Sequence, residues 1–184
     1  MKNIGLFGGT FDPIHIGHLE IAEQFVKLCD LDVCYFIPNK KSPFKIDKKD
    51  MFSDSERYKK IEEAITSEGK SNNKFKLSDY ELKNDTISYT INTVEYFAEL
   101  FHDANLYLLI GSDQAIKFNL WKDWQRIIEF VAVVVAMRPE GLSENEKMLI
   151  EKNITQDRLI WLNNPIINIT SSEIRKQIQD LENN

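Results

Sequence analysis

The chain has only two cysteines, Cys29 and Cys34, in 184 residues. They stand five apart with no third beside them. That leaves no cysteine-based metal cluster and reads as two reduced, buried thiols rather than a disulfide. No run approaches the roughly 20 apolar residues that a membrane span needs. The longest, residues 130–137, has the length of a buried strand. Excess positive charge is also lacking, with 23 Lys and Arg against 29 Asp and Glu. A net charge of −6 argues against a general binder of nucleic acid or anionic membrane. Lys2 and the apolar residues after it imitate a signal peptide, but Gly8, Gly9 and the pair Asp12-Pro13 cut that patch short. There are no repeats, no low-complexity segment and no linker. The expectation is one cytoplasmic domain over residues 1–184, long enough to bury a real core.

Two nucleotide motifs are missing as well. The chain has no Gly-x-x-x-x-Gly-Lys, which weakens an ordinary NTPase reading, and its opening lacks Gly-x-Gly-x-x-Gly, which weakens a dehydrogenase reading. What the opening does hold is MKNIGLFGGTFDPIHIGH. Ile4, Leu6 and Phe7 give a short apolar strand. Gly8 and Gly9 let the backbone turn and a ligand approach without a Cβ in the way. A strand, a glycine turn and a helix N-terminus make a ready anion site, because unpaired N–H groups and the helix dipole face the ligand.

Further on, apolar runs alternate with amphipathic stretches. Residues 19–28 carry Leu19, Ala22 and Val26 on one helical face, with Phe25 and Leu28 beside them. Strands are expected at 33–38, 75–82, 106–110, 130–137 and 159–162. Helices are expected to open at Ser53, Ser88, Ser143 and Thr170, three of these as capping boxes with a Glu three residues on. Another helical stretch is expected to carry both Trp121 and Trp124. Continuous apolar strands between amphipathic helices indicate an α/β fold, a doubly wound (Rossmann-like) parallel sheet with helices on both faces. Ligands in such sheets sit outside the strands' carboxyl ends. Gly8, Gly9, a lysine-rich loop at 39–52, Gly111, Asp113 and Arg138 all fall there.

Each candidate group has a plain reading beside a functional one. His15 and His18, two of only three histidines, are either turn residues or donors to phosphate; no third and fourth ligand stands at metal spacing. Most of the loop lysines read as solvated, although Pro43 and Phe44 stiffen the backbone beside Lys45, so it can be held as a point charge for phosphate. Asp113 is a helix cap or a partner for ribose hydroxyls. Arg138 is a solvated strand stop or a phosphate contact, and His102 reads as surface. Trp121 and Trp124 read as core unless one stacks on a flat ring. Thr170, Ser171, Ser172 and Arg175 cap a helix or suit a polyphosphate.

Taken together these segments resemble the nucleotidyltransferase superfamily with the HxGH motif, here His15-Ile16-Gly17-His18. Its second signature, ISSTxIR, is matched by residues 169–175 with hydroxyl swaps at Thr170 and Ser172. Within the superfamily the chain looks similar to the bacterial nicotinate-mononucleotide adenylyltransferases. The matching pieces are GGTFDP at 8–13, Pro38-Asn39 to Lys45, Ser88-Tyr89-Thr90, Gly111-Ser112-Asp113 followed by Trp121, and Arg138-Pro139. They occur in order over nearly the whole chain.

The resemblance implies transfer of AMP from ATP to nicotinate mononucleotide, with Mg²⁺ carried by ATP rather than by protein ligands. It implies an ATP site of Gly8, Gly9, Thr10, Phe11, His15 and His18, joined by Gly111, Asp113 and Arg138 and by Ile169, Thr170, Ser171, Ser172 and Arg175. It implies a mononucleotide site of Lys45, Ser88, Tyr89, Thr90, Trp121 and Lys122, with Trp121 on the pyridine ring. The reacting groups would be His15, His18, Lys45 and Arg175. Lys122 stands where an aromatic often follows the stacking Trp, and Glu140 where Gly is common. A phosphopantetheine adenylyltransferase, a cytidylyltransferase for an alcohol phosphate and a non-catalytic nucleotide-binding module are the rival readings. A homo-oligomer stays open.

Overall fold

In the computed structural model, which describes residues 1–41, 43, 51–67, 73–84, 87–165 and 169–182, the opening apolar strand is β1 (Lys2–Gly9). It lies inside a six-stranded, all-parallel sheet. Its neighbours are β2 (Val33–Pro38) and β4 (Ala104–Gly111), with β3 (Phe75–Leu77) beyond β2, and β5 (Val131–Ala136) and β6 (Leu159–Leu162) beyond β4. The order is β3-β2-β1-β4-β5-β6. The chain therefore builds outward from β1, returns to the middle, and builds outward again. The crevice at that reversal, between the carboxyl ends of β1 and β4, is where such sheets take ligands.

Both faces of the sheet are covered, which is why its strands read as unbroken apolar runs. On one face Ile4 and Leu6 join Leu108 of β4 and Val133 of β5 against Val94 and Phe97 of α4 (Thr90–Leu100) and Ile127 of α6 (Trp124–Phe130). Ile150 of α7 (Glu144–Asn153) closes that side. On the other face Phe7, Phe36 and Val134 meet Leu19, Ala22 and Phe25 of α1 (Ile16–Leu28), with Ile61 of α2 (Asp54–Ser67). Gly5 allows the closest of these approaches: a Cβ there would stand 2.5 Å from Leu31 Cδ1 and 2.7 Å from the Phe25 ring. Cys29 and Cys34 are both free and buried, as expected, and burial pushes the Cys29 thiol up to about 11. Among the described residues, no helix is long and apolar enough to cross a membrane.

The three capping boxes form. Ser53 N–H donates to Glu56 Oε2 at 2.8 Å, Ser143 N–H to Glu146 Oε2 at 2.8 Å, and Thr170 N–H to Glu173 Oε2 at 2.9 Å. The last opens α8 (Ser171–Glu182).

Four expectations fail locally. The strand placed at 75–82 stops at Leu77, because Ser78 Oγ accepts from Tyr80 N–H and the chain coils into α3 (Tyr80–Lys83). The helix placed at Ser88 starts two residues later, since the Ser88 hydroxyl is engaged by the Lys40 N–H at 3.2 Å rather than by its own helix. Trp121 and Trp124 are not on one helix: Trp121 is extended after a 3₁₀ turn (Phe118–Leu120), and Asp123, at φ 50°, reverses the chain before α6. Phe130 ends α6 rather than beginning β5.

Candidate active site

A cleft of about 940 Å³ lies across the carboxyl ends of the central strands, at the upper end of the range for small-molecule sites. Its floor at the β1 end is Gly8 and Gly9, which are the last paired residues of β1, opposite Ile37 and Pro38, rather than the turn expected from the sequence. A Cβ on Gly8 would meet nothing within 4 Å, so the backbone there faces open space. Thr10 and Phe11 follow, with Phe11 at φ 49° and only 3 % exposed. Its ring stands edge-on to His18, centroids 5.1 Å apart.

His15 is the extended N-cap residue of α1, which begins at Ile16. Its N–H donates to His18 Nδ1 at 3.2 Å, and the two imidazoles lie with centroids 3.8 Å apart. That bond has a chemical consequence. With Nδ1 accepting, neutral His18 carries its proton on Nε2 and is a donor there. Burial, then the neighbouring His15 and Arg138 charges, lower His18 well below the ordinary imidazole value. Burial and Arg138 lower His15 to about 4. Both rings are therefore neutral donors at pH 7 in the free protein, at the N-terminus of a helix.

Two arginines reach this end from distant parts of the sequence. Arg175, in the first turns of α8, donates from Nη1 to the Asp12 carbonyl at 2.6 Å and from Nη2 to Ser172 Oγ at 2.9 Å. Ser171 Oγ donates to the Pro13 carbonyl at 3.0 Å, so the start of α8 is tied to the turn before α1. Thr170 and half-exposed Ile169 line the same rim. Arg138, just beyond β5, donates from Nε to Asp113 Oδ1 at 2.9 Å. Burial works to raise Asp113, but the Arg138 charge and hydrogen bond, with a bond from Gln114, hold its carboxyl below the usual range. Gly111 leaves room for this pair, since a Cβ there would collide with Asp113 and stand 2.9 Å from Arg138 Nε.

The other end of the cleft is more aromatic. Ser88, Tyr89 and Thr90 form the entry to α4, and the Ser88 N–H donates to the Lys41 carbonyl at 2.9 Å. Trp121 packs on Phe118 with centroids 5.2 Å apart, and Lys122 places Nζ 4.7 Å from the centre of the Tyr89 ring. Beneath lies buried Glu81, which accepts from Thr93 Oγ1 at 2.6 Å. Burial raises its pKa, partly offset by the hydrogen bonds from Thr93 and Ser88.

The fold thus brings the site residues expected from the sequence to one cleft, with Lys45 outside the described residues. His102 is on the surface, 80 % exposed.

Sequence reasoning missed the residues that hold the cleft's loops. Asp12 is 3 % exposed and accepts from the Met51 and Phe52 N–H groups, both at 2.9 Å. Fully buried Arg57 donates to the carbonyls of Thr10 at 2.6 Å and Asn39 at 2.8 Å, and to Asp54 at 2.6 Å. It thereby binds the loop after β1 to the loop after β2. A lone Arg in the first turn of an amphipathic helix carries no sequence signal for this, because its partners are backbone carbonyls 18 and 47 residues away.

The cytidylyltransferase-like family matches residues 6–177. A curated relative from Clostridium novyi (strain NT), named "Probable nicotinate-nucleotide adenylyltransferase", is 38% identical over 100% of this chain and 90% of its own length. One of the same name from Neisseria meningitidis serogroup B is 35% identical over 97% and 88%. Among solved structures, the Plasmodium falciparum nicotinic acid mononucleotide adenylyltransferase complexed with NaAD shares the fold at a TM-score of 0.80. It is 21% identical and covers 100% of this chain and 90% of that one.

Proposed function

The chain belongs to the cytidylyltransferase-like family, among the nicotinate-nucleotide adenylyltransferases, and from that premise we propose that it transfers AMP from ATP to nicotinate mononucleotide, releasing pyrophosphate and deamido-NAD. One observation carries the reading to this chain. A phosphate-suited end and an aromatic end open into the same cleft, at the reversal of the strand order. A two-substrate reaction between a triphosphate and a ring-bearing mononucleotide needs that arrangement.

A mononucleotide 5′-phosphate oxygen is already a nucleophile. It forms the new bond to the α-phosphorus while the bond to the pyrophosphate oxygen breaks, in line, with no covalent enzyme intermediate. The protein's task is positioning and neutralisation of charge. The Nε2–H of His18 and the ring of His15 stand where the triphosphate would cross the N-terminus of α1. Arg175 and Arg138 add fixed positive charge from either side, and Gly8 leaves space for close approach. Thr10, Phe11, Gly9 and the hydroxyls of Thr170, Ser171 and Ser172 complete the ATP end. Ser88, Tyr89, Thr90, Trp121 and Lys122 receive the mononucleotide, and Lys45, outside the described residues, joins them on the resemblance alone.

Mg²⁺ enters with ATP as part of the substrate and neutralises phosphate charge. Asp12 and Asp113 are each engaged by an arginine. Free, reduced cysteines and an ATP substrate suit a cytoplasmic enzyme.

The test is pyrophosphate release with ATP and Mg²⁺, offering nicotinate mononucleotide, nicotinamide mononucleotide and phosphopantetheine in parallel. Turnover with nicotinate mononucleotide and formation of deamido-NAD are expected. Preference for phosphopantetheine, or binding of ATP without turnover, overturns the reading.

A further inference from the structure

Three side-chain cations of Lys or Arg line the cleft among the described residues, and they are engaged differently. Arg138 is bonded to Asp113 at 2.9 Å, and Arg175 stands 3.7 Å from the Asp12 carboxylate while bonding its carbonyl. Lys122 has no carboxylate partner among the described residues. Its ammonium rests on the face of Tyr89, 4.7 Å from the ring centre. A cation–π contact at an exposed site is weak, so Lys122 can leave it at little cost. A substrate carboxylate is a better partner for an ammonium than an aromatic face, because it adds a charge-assisted hydrogen bond.

The placement is specific. Lys122 follows Trp121 directly, and the left-handed residue Asp123 then turns the chain into α6. Trp121 and Tyr89 both line the aromatic end of the cleft, with Lys122 at the corner between them. A flat ring lodged there would present a substituent to the ammonium. If the substituent is an anionic carboxylate the ammonium gains a partner; if it is a neutral amide, the ammonium gains only a carbonyl dipole.

We propose that the Lys122 side chain sets the preference for nicotinate over nicotinamide mononucleotide, by exchanging the Tyr89 face for the ring carboxylate. This rests on the reaction assigned above and adds to it the residue that selects acid from amide. The contact is partly solvated, so its effect is modest and salt-sensitive.

The experiment compares the wild-type enzyme with Lys122→Met and Lys122→Arg, measuring kcat/KM for both mononucleotides at saturating MgATP. Direct titration of each mononucleotide by tryptophan fluorescence supplies a readout that does not depend on turnover. Lys122→Met should lower the acid-to-amide ratio about tenfold, through KM and Kd for nicotinate mononucleotide rather than kcat. Lys122→Arg should restore most of the ratio, and raising salt should erode it in wild type more than in Lys122→Met. An unchanged ratio, or an equal loss for both mononucleotides, overturns the role of Lys122 alone. Wild-type enzyme that turns over neither mononucleotide overturns the assigned reaction and this role with it.

Discussion

At the phosphate end of the cleft, Arg175 and Arg138 are held by hydrogen bonds to distant parts of the chain and His18 by the His15 N–H at its own helix cap, whereas at the ring end Lys122 rests on Tyr89 and Trp121 on Phe118. The contrast follows from what each end would stabilise. Charge that builds on a phosphate is met best by dipoles already in place, since reorienting them during the reaction would cost energy. A flat ring needs surfaces and one well-placed charge, and dispersion tolerates small shifts that a charged transition state does not. Loss of a group at the first end should therefore appear in kcat, and at the second in KM.

The largest effect is expected at His18. His18→Ala removes the fixed Nε2 donor and should lower kcat by about 10²-fold or more, the range seen when a transition-state donor is lost, with KM for the mononucleotide little moved. Steady-state kinetics with both substrates varied decides this. Near-normal kcat would place His18 outside the reaction and blur the difference between the two ends.

A smaller effect is expected at Trp121. Trp121→Ala should raise KM for nicotinate mononucleotide about tenfold, consistent with roughly 1–3 kcal/mol for stacking on an aromatic side chain, and Trp121→Phe should recover part of it. KM for ATP should move less. A fall in kcat without a change in KM would show that the ring end also takes part in the transition state.

The smallest effect concerns stability. His15 is lowered from the ordinary imidazole value to about 4 by burial and by Arg138. Between that value and about 6.5 the unfolded chain binds the proton and the folded one does not, so stability is complete above about 6.5 and falls as pH drops toward 4. Thermal melts of the free enzyme from pH 7.5 to 4.5 should show wild type losing Tm more steeply than His15→Asn. Saturating MgATP should flatten the slope, because triphosphate oxygens stabilise the charged ring. Parallel slopes for the two proteins would mean that His15 does not titrate there.

The sequence made much of this legible. Strands with both faces buried are continuous apolar runs, so β1, β2, β4 and β5 were visible within two residues at each end. The capping boxes at Ser53, Ser143 and Thr170 were visible because their partners lie three residues apart. The failures share one cause. Ser88 looked like a helix cap until Lys40 took its hydroxyl, Trp121 looked helical until the left-handed turn at Asp123, and residues 78–82 looked extended until α3 turned Glu81 inward to Thr93. The deciding contact is long-range for Ser88 and local at Asp123 and at the Ser78–Tyr80 bond, but in no case does apolar spacing encode it.

Sequence alone determined the alternation of strands and helices, the residue types of the site, and the place of many of them at strand ends. These depend on side-chain type and on spacing within one turn or one strand. Only the tertiary structure decided that Arg175 meets Asp12 across 163 residues, that Arg57 joins two loops through their carbonyls, and that Lys122 faces Tyr89 without an ion pair to a described acid. Such pairings are set by where the sheet brings distant loops together, which no local pattern records.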